Sequence, residues 1–495
     1  MSSVTLPLWS FILLLIAAVY AVLVSVLFPG VRWFIRRRLN KALDRLNANL
    51  QIKIRPFQRT KRQILIEQLM FDQQVLDTIE QEAQAGNIPR EVLQQQVKRY
   101  AREIVPSFNA YVYFRLGYWL AKFVSRFVYR VKVAAADVKA LQQVDLEATV
   151  VFVMNHRSNM DYVLISYLVS EQVTLSYAVG EWARVFPLEM LIRAMGAFFV
   201  RRGSQNTLYR KVLERYVAMA TKRGVCQAVF LEGGLSRDGH LGQAKLGFLD
   251  YILRNFDWQQ DRDVVFIPIG INYDFVLEDR NLINWDNKHQ RPTTWQHIQR
   301  FGRFLRDNLF INSRRRWKKH GYASANFGIP ISMRQYCQHN LVDFNHLPKT
   351  ERFIKVEQLA TELMTALQYV LPVLPVPVIC LVMLRHSNHA QTAIEIVAQC
   401  DEAIDAIISE GAAMRSDQKP KPKTLGNALD MLVARSLLLE SDGLYTLNPQ
   451  QLGLVRYYAN SIAHWRSDIT DADFTKSEGV SEPTARQSEK PLLSE

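Results

Sequence analysis

The apolar run Val150–Met154 ends at Asn155-His156, and a polar turn through Arg157, Ser158 and Asn159 leads to Asp161. Four residues separate His156 from Asp161. Across a strand-to-helix turn, that spacing can bring an imidazole and a carboxylate into hydrogen-bond reach. A carboxylate on Nδ1–H fixes the tautomer and leaves Nε2 free to take a proton. Such a base suits removal of a hydroxyl proton, a step that typically contributes roughly 10²–10⁴-fold. No Ser or Cys nucleophile is required if a substrate hydroxyl attacks directly. The bland alternative is a merely satisfied His and Asp at a strand end, and the short pattern alone favours it.

Three further blocks carry candidate chemistry. In GAFFVRRG (Gly196–Gly203) an apolar strand delivers Arg201 and Arg202. Neighbouring residues on a strand point to opposite faces, so one guanidinium faces a site while the other meets solvent or a carboxylate. The planar fork of Arg suits phosphate oxygens. In VFLEGGLSRDG (Val229–Gly239) a strand runs into Glu232, Gly233 and Gly234, then Ser236 and Arg237, with Lys245 shortly after. The glycines permit close backbone approach to a ligand, and the polar residues offer donors for a phosphate. In VVFIPIGINYD (Val264–Asp274), Pro268 interrupts a strand and suggests an edge or a bulge. Each block has a plain structural alternative: a surface Arg pair, a Gly-Gly turn, a core strand.

These residues need a frame. Expected strands are Thr149–Met154, Val173–Val179, Ala197–Val200, Gln227–Leu231, Val264–Ile271 and Tyr322–Phe327. Helical stretches lie between them near Tyr162–Val169, Arg184–Ala194, Asn206–Lys222 and Gly247–Asn255. That alternation predicts an α/β domain, a mixed and mostly parallel sheet covered by helices, over residues 136–340. Before it, residues 32–135 read as helical, basic and partly membrane-associated. REVLQQQVKRYAREI (Arg90–Ile104) has helical spacing, and Phe108–Val133 is an aromatic, cationic segment fit for a bilayer surface or for the core. After it, residues 341–466 read as a helical region. Its end, past the linker Lys419–Lys423, runs helix, Asp442-Gly443 hairpin, helix, the order of a winged-helix-like module. The apolar run Leu367–Leu384 contains Pro372, Pro375 and Pro377 and reads as buried or membrane-touching rather than spanning. Residues 467–495 read as a disordered tail.

Composition bounds the function. The 495 residues are 48% hydrophobic and 22% charged, which excludes general disorder. Lys plus Arg outnumber Asp plus Glu, 61 to 47, a net +14 that favours anionic partners. Cys226, Cys337, Cys380 and Cys400 show no Cys-x-x-Cys spacing, which argues against disulfides and zinc knuckles and for a reducing compartment. From Ser2 to Val31 no side chain is charged, and Arg32, Arg36, Arg37, Arg38 and Lys41 follow at once. This predicts a transmembrane anchor over residues 1–31 with the bulk of the chain cytoplasmic, in a cell membrane, and disfavours a cleaved signal peptide. Two ligands at His156 and Asp161 do not make a metal site. Membrane lipids and phosphorylated donors account for the basic excess better than nucleic acid does, RRRWKKH (Arg314–His320) included.

Taken in order, NHRSNMD, GAFFVRR, FLEGGLSR and VVFIPIGINYD resemble the glycerolipid acyltransferase superfamily. The sequence is similar in particular to its membrane glycerol-3-phosphate and dihydroxyacetone-phosphate acyltransferase branch, as are NFGIPIS (Asn326–Ser332) and LVRYYANSIAH (Leu454–His464). The resemblance implies that His156 is the general base on the acceptor hydroxyl and that Asp161 orients it. It assigns Arg157, Ser158, Arg201, Arg202, Glu232, Gly233, Gly234, Ser236, Arg237 and Lys245 to the acceptor side, and Pro268 to the acyl-donor side. The implied reaction moves a fatty acyl group from acyl-CoA or acyl-carrier protein to glycerol 3-phosphate, giving lysophosphatidate, without metal or organic cofactor. Position 235 is Leu where the family commonly has Arg. Either Arg237 or Lys245 compensates, or the acceptor is dihydroxyacetone phosphate or 1-acylglycerol 3-phosphate. An inactive membrane scaffold is the alternative from another class.

Overall fold

The computed structural model describes residues 56–135, 138–170, 173–180, 188–201, 203–283, 320–387, 389–412 and 419–465. The expected anchor, the tail, Arg202 and nearly all of RRRWKKH lie outside them. Among the described residues, no helix is long and apolar enough to cross a membrane.

The centre is a mixed sheet in the order β1-β7-β6-β2-β5-β3-β4. Its strands are β1 (Arg130–Ala135), β2 (Thr149–Met154), β3 (Ser176–Gly180), β4 (Phe198–Val200), β5 (Gln227–Phe230), β6 (Val264–Tyr273) and β7 (Tyr322–Phe327), and the two-residue β8 (Ile331–Ser332) also pairs with β6. From β6 to β4 every pairing is parallel; β7 joins β6 antiparallel and β1 joins β7 in parallel. β2 and β6 are buried at every position, as expected of strands covered on both faces. Val151, Val153, Val264 and Phe266 pack into one apolar cluster, and Val150, Phe152, Val265 and Ile267 into another.

Pro268 corrects the expectation of an edge or a bulge. β6 is interior, and Pro268 pairs with Val153 of β2. On the other side the ladder breaks between β8, opposite Val265 and Phe266, and β7, which starts opposite Ile269. The Pro268 carbonyl points into this break and accepts from Gly328 N at 2.8 Å. A residue's N and O share a side in a strand, so the missing N–H faces a gap and no ladder bond is lost.

The helices that matter below are α1 (Arg90–Ile104), α2 (Tyr118–Val128), α3 (Met160–Val169), α4 (Thr207–Lys222), α5 (Leu246–Leu253), α6 (Lys349–Tyr369), α7 (Pro375–Arg385), α8 (Ala393–Ser409), α9 (Pro422–Ala434) and α10 (Leu452–Asn460). α4, α5 and α6 cover one face. The apolar run with three prolines ends α6, breaks around Pro372 and continues as α7, buried from Pro375 to Leu384. Pro375 and Pro377 fall in its first turn, where no intrahelical N–H bond is needed. α8 starts with a capping box between Thr392 and Glu395. The expected hairpin forms as β10 (Leu438–Ser441) and β11 (Leu444–Leu447), with Asp442 and Gly443 at φ 54° and 75°, and β9 (Gln391–Thr392) adds a third strand. The linker is shorter than expected: Pro422 opens α9. The C-terminal helices share the apolar core of the α/β domain, so the boundary drawn at residue 340 separates no independent core.

Candidate active site

The parallel strands β2, β5 and β6 deliver their C-terminal ends to one place. At the end of β2, Asn155 carries the ladder one residue further through its side chain. Its Nδ2 donates to Ile271 O at 2.8 Å and its Oδ1 accepts from Ile271 N at 2.7 Å. This fixes where His156 leaves the sheet. The imidazole stacks on Phe230 with centroids 4.0 Å apart and meets Tyr162 edge-on at 5.5 Å. His156 Nδ1 lies 2.8 Å from Asp161 Oδ2. That same oxygen accepts from Arg157 N at 2.7 Å and Ser158 N at 3.0 Å, while Oδ1 accepts from the Tyr273 hydroxyl at 2.7 Å. An ionised carboxylate only accepts, so Nδ1 carries the proton and Nε2 presents a lone pair. Nε2 is buried and has no hydrogen-bond partner among the described residues. Leaving a buried acceptor unsatisfied typically costs about 1–3 kcal/mol, and in a folded protein such a group calls for a reason. Such a lone pair is placed to accept a proton.

Two more carboxylates brace the pair. Glu278 accepts from Ser158 Oγ at 2.7 Å and from Asn159 Nδ2 and N at 3.1 and 3.3 Å. Burial first, and then Asp161, push its carboxyl up, against the pull of the Ser158 and Asn159 donors. Glu232 accepts from His156 N and Gly242 N, both at 2.8 Å. Burial pushes it up as well, opposed by Arg157 and those two N–H groups. Ser236 N donates to His156 O at 2.9 Å, so residues 232–236 pass the histidine tied at both ends.

The residues assigned to the acceptor side divide into two groups. Gly233 is at φ +68°, with the Lys245 stem close over it, and Arg237 and Lys245 are exposed beside the loop. Gly234 lies in the same turn, half-buried. These can meet a phosphate. Others are buried or bound within the fold. Arg157 is 2% exposed and donates to the carbonyls of Gly239 and Ser461, which joins the histidine turn to the end of α10. Gly239, at φ +91°, lies so near the Tyr457 carbonyl that a Cβ would run into it. Ser236 Oγ donates to His240 O at 2.8 Å, and Ser158 serves Glu278. Arg201 binds Glu103 of α1 through Nε and Nη2 at 2.8 and 2.6 Å, so it is the guanidinium of the pair that meets a carboxylate. Leu235 packs on the core. Pro268 lies on the sheet face turned to Val370, opposite the face that carries Tyr273. The structure therefore does not bring Pro268 to His156. Among the described residues, no group of three or more His, Cys, Asp or Glu side chains is arranged to hold a metal ion.

Two family models match. The acyltransferase model covers residues 135–272, and the model of the glycerol-3-phosphate acyltransferase C-terminal region covers 307–466. Both matches are to acyltransferases, the second to glycerol-3-phosphate acyltransferases, and this is the family that the chain is similar to. It is 28% identical over 414 residues to a glycerol-3-phosphate acyltransferase of Aeromonas hydrophila, which covers 81% of this chain and 50% of the relative. A namesake from Xanthomonas campestris is 28% identical over 351 residues, 69% of this chain and 38% of that one. One from Pseudomonas paraeruginosa is 27% identical over 447 residues, 86% and 51%. The chain thus spans about half the length of these curated relatives, or less. A solved 1-acyl-sn-glycerophosphate acyltransferase from Thermotoga maritima is 15% identical, with a TM-score of 0.28 over 50% of this chain and 77% of that one.

In this acyltransferase domain, motif reading missed Asn155, Tyr273 and Glu278 as site residues. Asn155 and Tyr273 stand inside quoted motifs, yet neither type signals its partner. Glu278 lies just past VVFIPIGINYD, and nothing local distinguishes it from a surface acid.

Proposed function

We propose that this protein is a glycerol-3-phosphate 1-O-acyltransferase that forms lysophosphatidate from a long-chain acyl thioester. The observation that carries this reading is the buried His156–Asp161 pair, whose Nε2 has no partner among the described residues. Nε2 takes the proton of the acceptor's hydroxyl as its oxygen attacks the thioester carbonyl. The tetrahedral intermediate collapses and the thiolate of CoA or acyl-carrier protein leaves. A thiolate is a good leaving group, so one base suffices. Lys245 and Arg237, at the Gly233 turn, supply positive charge for the acceptor phosphate in place of an Arg at position 235.

The basic chain works at a membrane in this reading. The apolar run before Arg32 is its anchor, with the catalytic domain on the cytoplasmic side of a bacterial inner membrane. Tyr111, Leu116, Trp119 and Phe123 are 48–59% exposed around α2, and Trp119 stacks on Phe123 at 5.5 Å. Such a cluster among Arg115, Lys122 and Arg126 suits an anionic bilayer surface.

The test uses membranes carrying the protein, labelled acyl-CoA or acyl-carrier protein, and each acceptor separately. Product from glycerol 3-phosphate alone, lost in His156→Ala, supports the proposal. Turnover only with 1-acylglycerol 3-phosphate or dihydroxyacetone phosphate moves the assignment to that acceptor. No turnover with any pairing favours the scaffold.

A further inference from the structure

Asp161 reaches His156 with only one of its oxygens. The other is occupied by Tyr273, the last residue of β6, whose hydroxyl donates to Oδ1 at 2.7 Å. Tyr273 is 1% exposed, and its ring packs on Tyr129 at 5.1 Å. Tyr129 has a different partner, since its hydroxyl donates to Phe275 O at 2.9 Å. Burial, followed by the Asp161 and Tyr129 charges, holds the Tyr273 phenol well above the usual range, so it stays a donor at any working pH.

We propose that Tyr273 is a positioning residue for acyl transfer, acting through Asp161 on the proton that His156 accepts. This rests on the reading of His156 as general base. Four donors converge on Asp161: the Nδ1–H, two backbone N–H groups and the phenol. The two backbone donors and Nδ1–H all use Oδ2, so they leave the rotation of the carboxylate plane to Tyr273. The phenol also draws charge toward Oδ1. Less of it then faces the imidazole, and the imidazolium that forms as the hydroxyl proton arrives is stabilised to a set degree. The proton moves from acceptor oxygen to Nε2, and the phenol proton stays on Tyr273. The other titratable groups around the pair come from several elements. They are Glu232 and Arg157 from the two loops, Glu278 and Asp279 after β6, Tyr129 and His320 beside β1, Tyr162 on α3, Tyr457 on α10 and Arg435 after α9. None of them donates to Oδ1 among the described hydrogen bonds, so the effect of the phenol is separable from theirs.

The experiment compares the full-length membrane protein with Tyr273→Phe, which keeps the ring. Removing a donor from the carboxylate leaves more negative charge toward the imidazole. The expected result is a kcat lowered about tenfold, an acceptor KM within about twofold, and an acidic limb of the pH–rate profile moved up by roughly half a pH unit. Tyr273→3-fluorotyrosine, a stronger donor, moves the limb down, and Tyr129→Phe leaves it in place. Histidine-labelled NMR reads the same protonation without turnover, with His156→Ala identifying the resonance. A titration that moves in Tyr273→Phe while the wild type acylates no acceptor supports the positioning role and overturns the acyltransferase reading. A limb and a titration that both stay put in the Phe and fluorotyrosine variants overturn the proposal.

Discussion

Two buried acidic clusters sit on opposite faces of one sheet, and they are neutralised in opposite ways. On the face covered by α4, α5 and α6, carboxylates meet cations. Glu214 pairs with Arg254 at 2.6 Å and Lys211 at 3.1 Å, and Asp250 binds Arg254 as well as Arg352, the latter at 2.9 Å. On the catalytic side, Asp161, Glu278 and Glu232 are held by a phenol, a hydroxyl, an amide, backbone N–H groups and the imidazole. Among the described hydrogen bonds, no Lys or Arg side chain reaches any of the three, and Arg157 acts on Glu232 only through space. Ion pairs cancel potential, whereas neutral donors solvate a charge and leave its field in place. The first cluster ties helices together. The second keeps negative potential around His156, which in the proposed reaction favours the imidazolium as it forms.

The contrast is tested first where it is largest. His156→Ala and Asp161→Asn are expected to lower kcat about 10³–10⁴-fold, with the fold retained by circular dichroism and thermal melting. Asp250→Asn is expected to do the reverse. It strands parts of Arg254 and Arg352, whose side chains are 20% and 13% exposed, and lowers stability by about 3 kcal/mol in a denaturant titration. Its kcat per folded molecule stays at the wild-type value. A catalytic defect in folded Asp250→Asn protein would erase the distinction between the faces.

Asp274 sharpens the comparison, because it uses the neutral-donor device away from the base. It accepts from Tyr322 N at 2.7 Å and Val376 N at 3.1 Å, pinning β7 to the start of α7. Burial pushes its carboxyl up to about 6, against those two N–H groups and Lys132. The folded chain therefore holds this proton more tightly than the unfolded chain. The contribution to stability is complete below about pH 4 and is lost as pH rises through about 6. It amounts to at most about 3 kcal/mol. Asp274→Asn should flatten that part of the stability–pH curve, read as the difference between variant and wild-type unfolding at pH 4 and pH 7.

Much of the frame is legible in sequence because its signals are local. The strands at Thr149–Met154 and Tyr322–Phe327 and the helix at Arg90–Ile104 match to the residue, where apolar periodicity and turn residues agree. The strand expected at Val173–Val179 is instead Ser176–Gly180. Its start is set by pairing Ser176 with Gln227 of β5, which local propensity does not encode. The His156–Asp161 contact is legible because one turn contains both residues. The roles of Arg157 and Arg201 are not. Each looks like a phosphate ligand until Ser461, from the far end of the chain, and Glu103, from α1, arrive to occupy it. Pro268 misleads for the same reason, since its unfilled ladder position is made by β7 and β8.

Glu278→Gln removes one negative charge near the base while keeping the shape. The Gln oxygen can still accept from Asn159, so the turn that presents Asp161 holds. If unneutralised charge is what favours a proton on His156, kcat falls about three- to tenfold at the alkaline end of the profile, the size of one partly screened charge. The sign with pH separates this from a packing defect. Burial pushes the Glu278 carboxyl up, so its charge is present only above a raised titration and is lost on acidification. A neutral Glu and a Gln then have the same charge. The ratio of wild-type to variant kcat should therefore approach one as pH falls and widen as it rises. A ratio that is constant with pH would mean that Glu278 acts through the geometry of Ser158 and Asn159 alone. The field attributed to the catalytic cluster would then belong to Asp161 and Glu232.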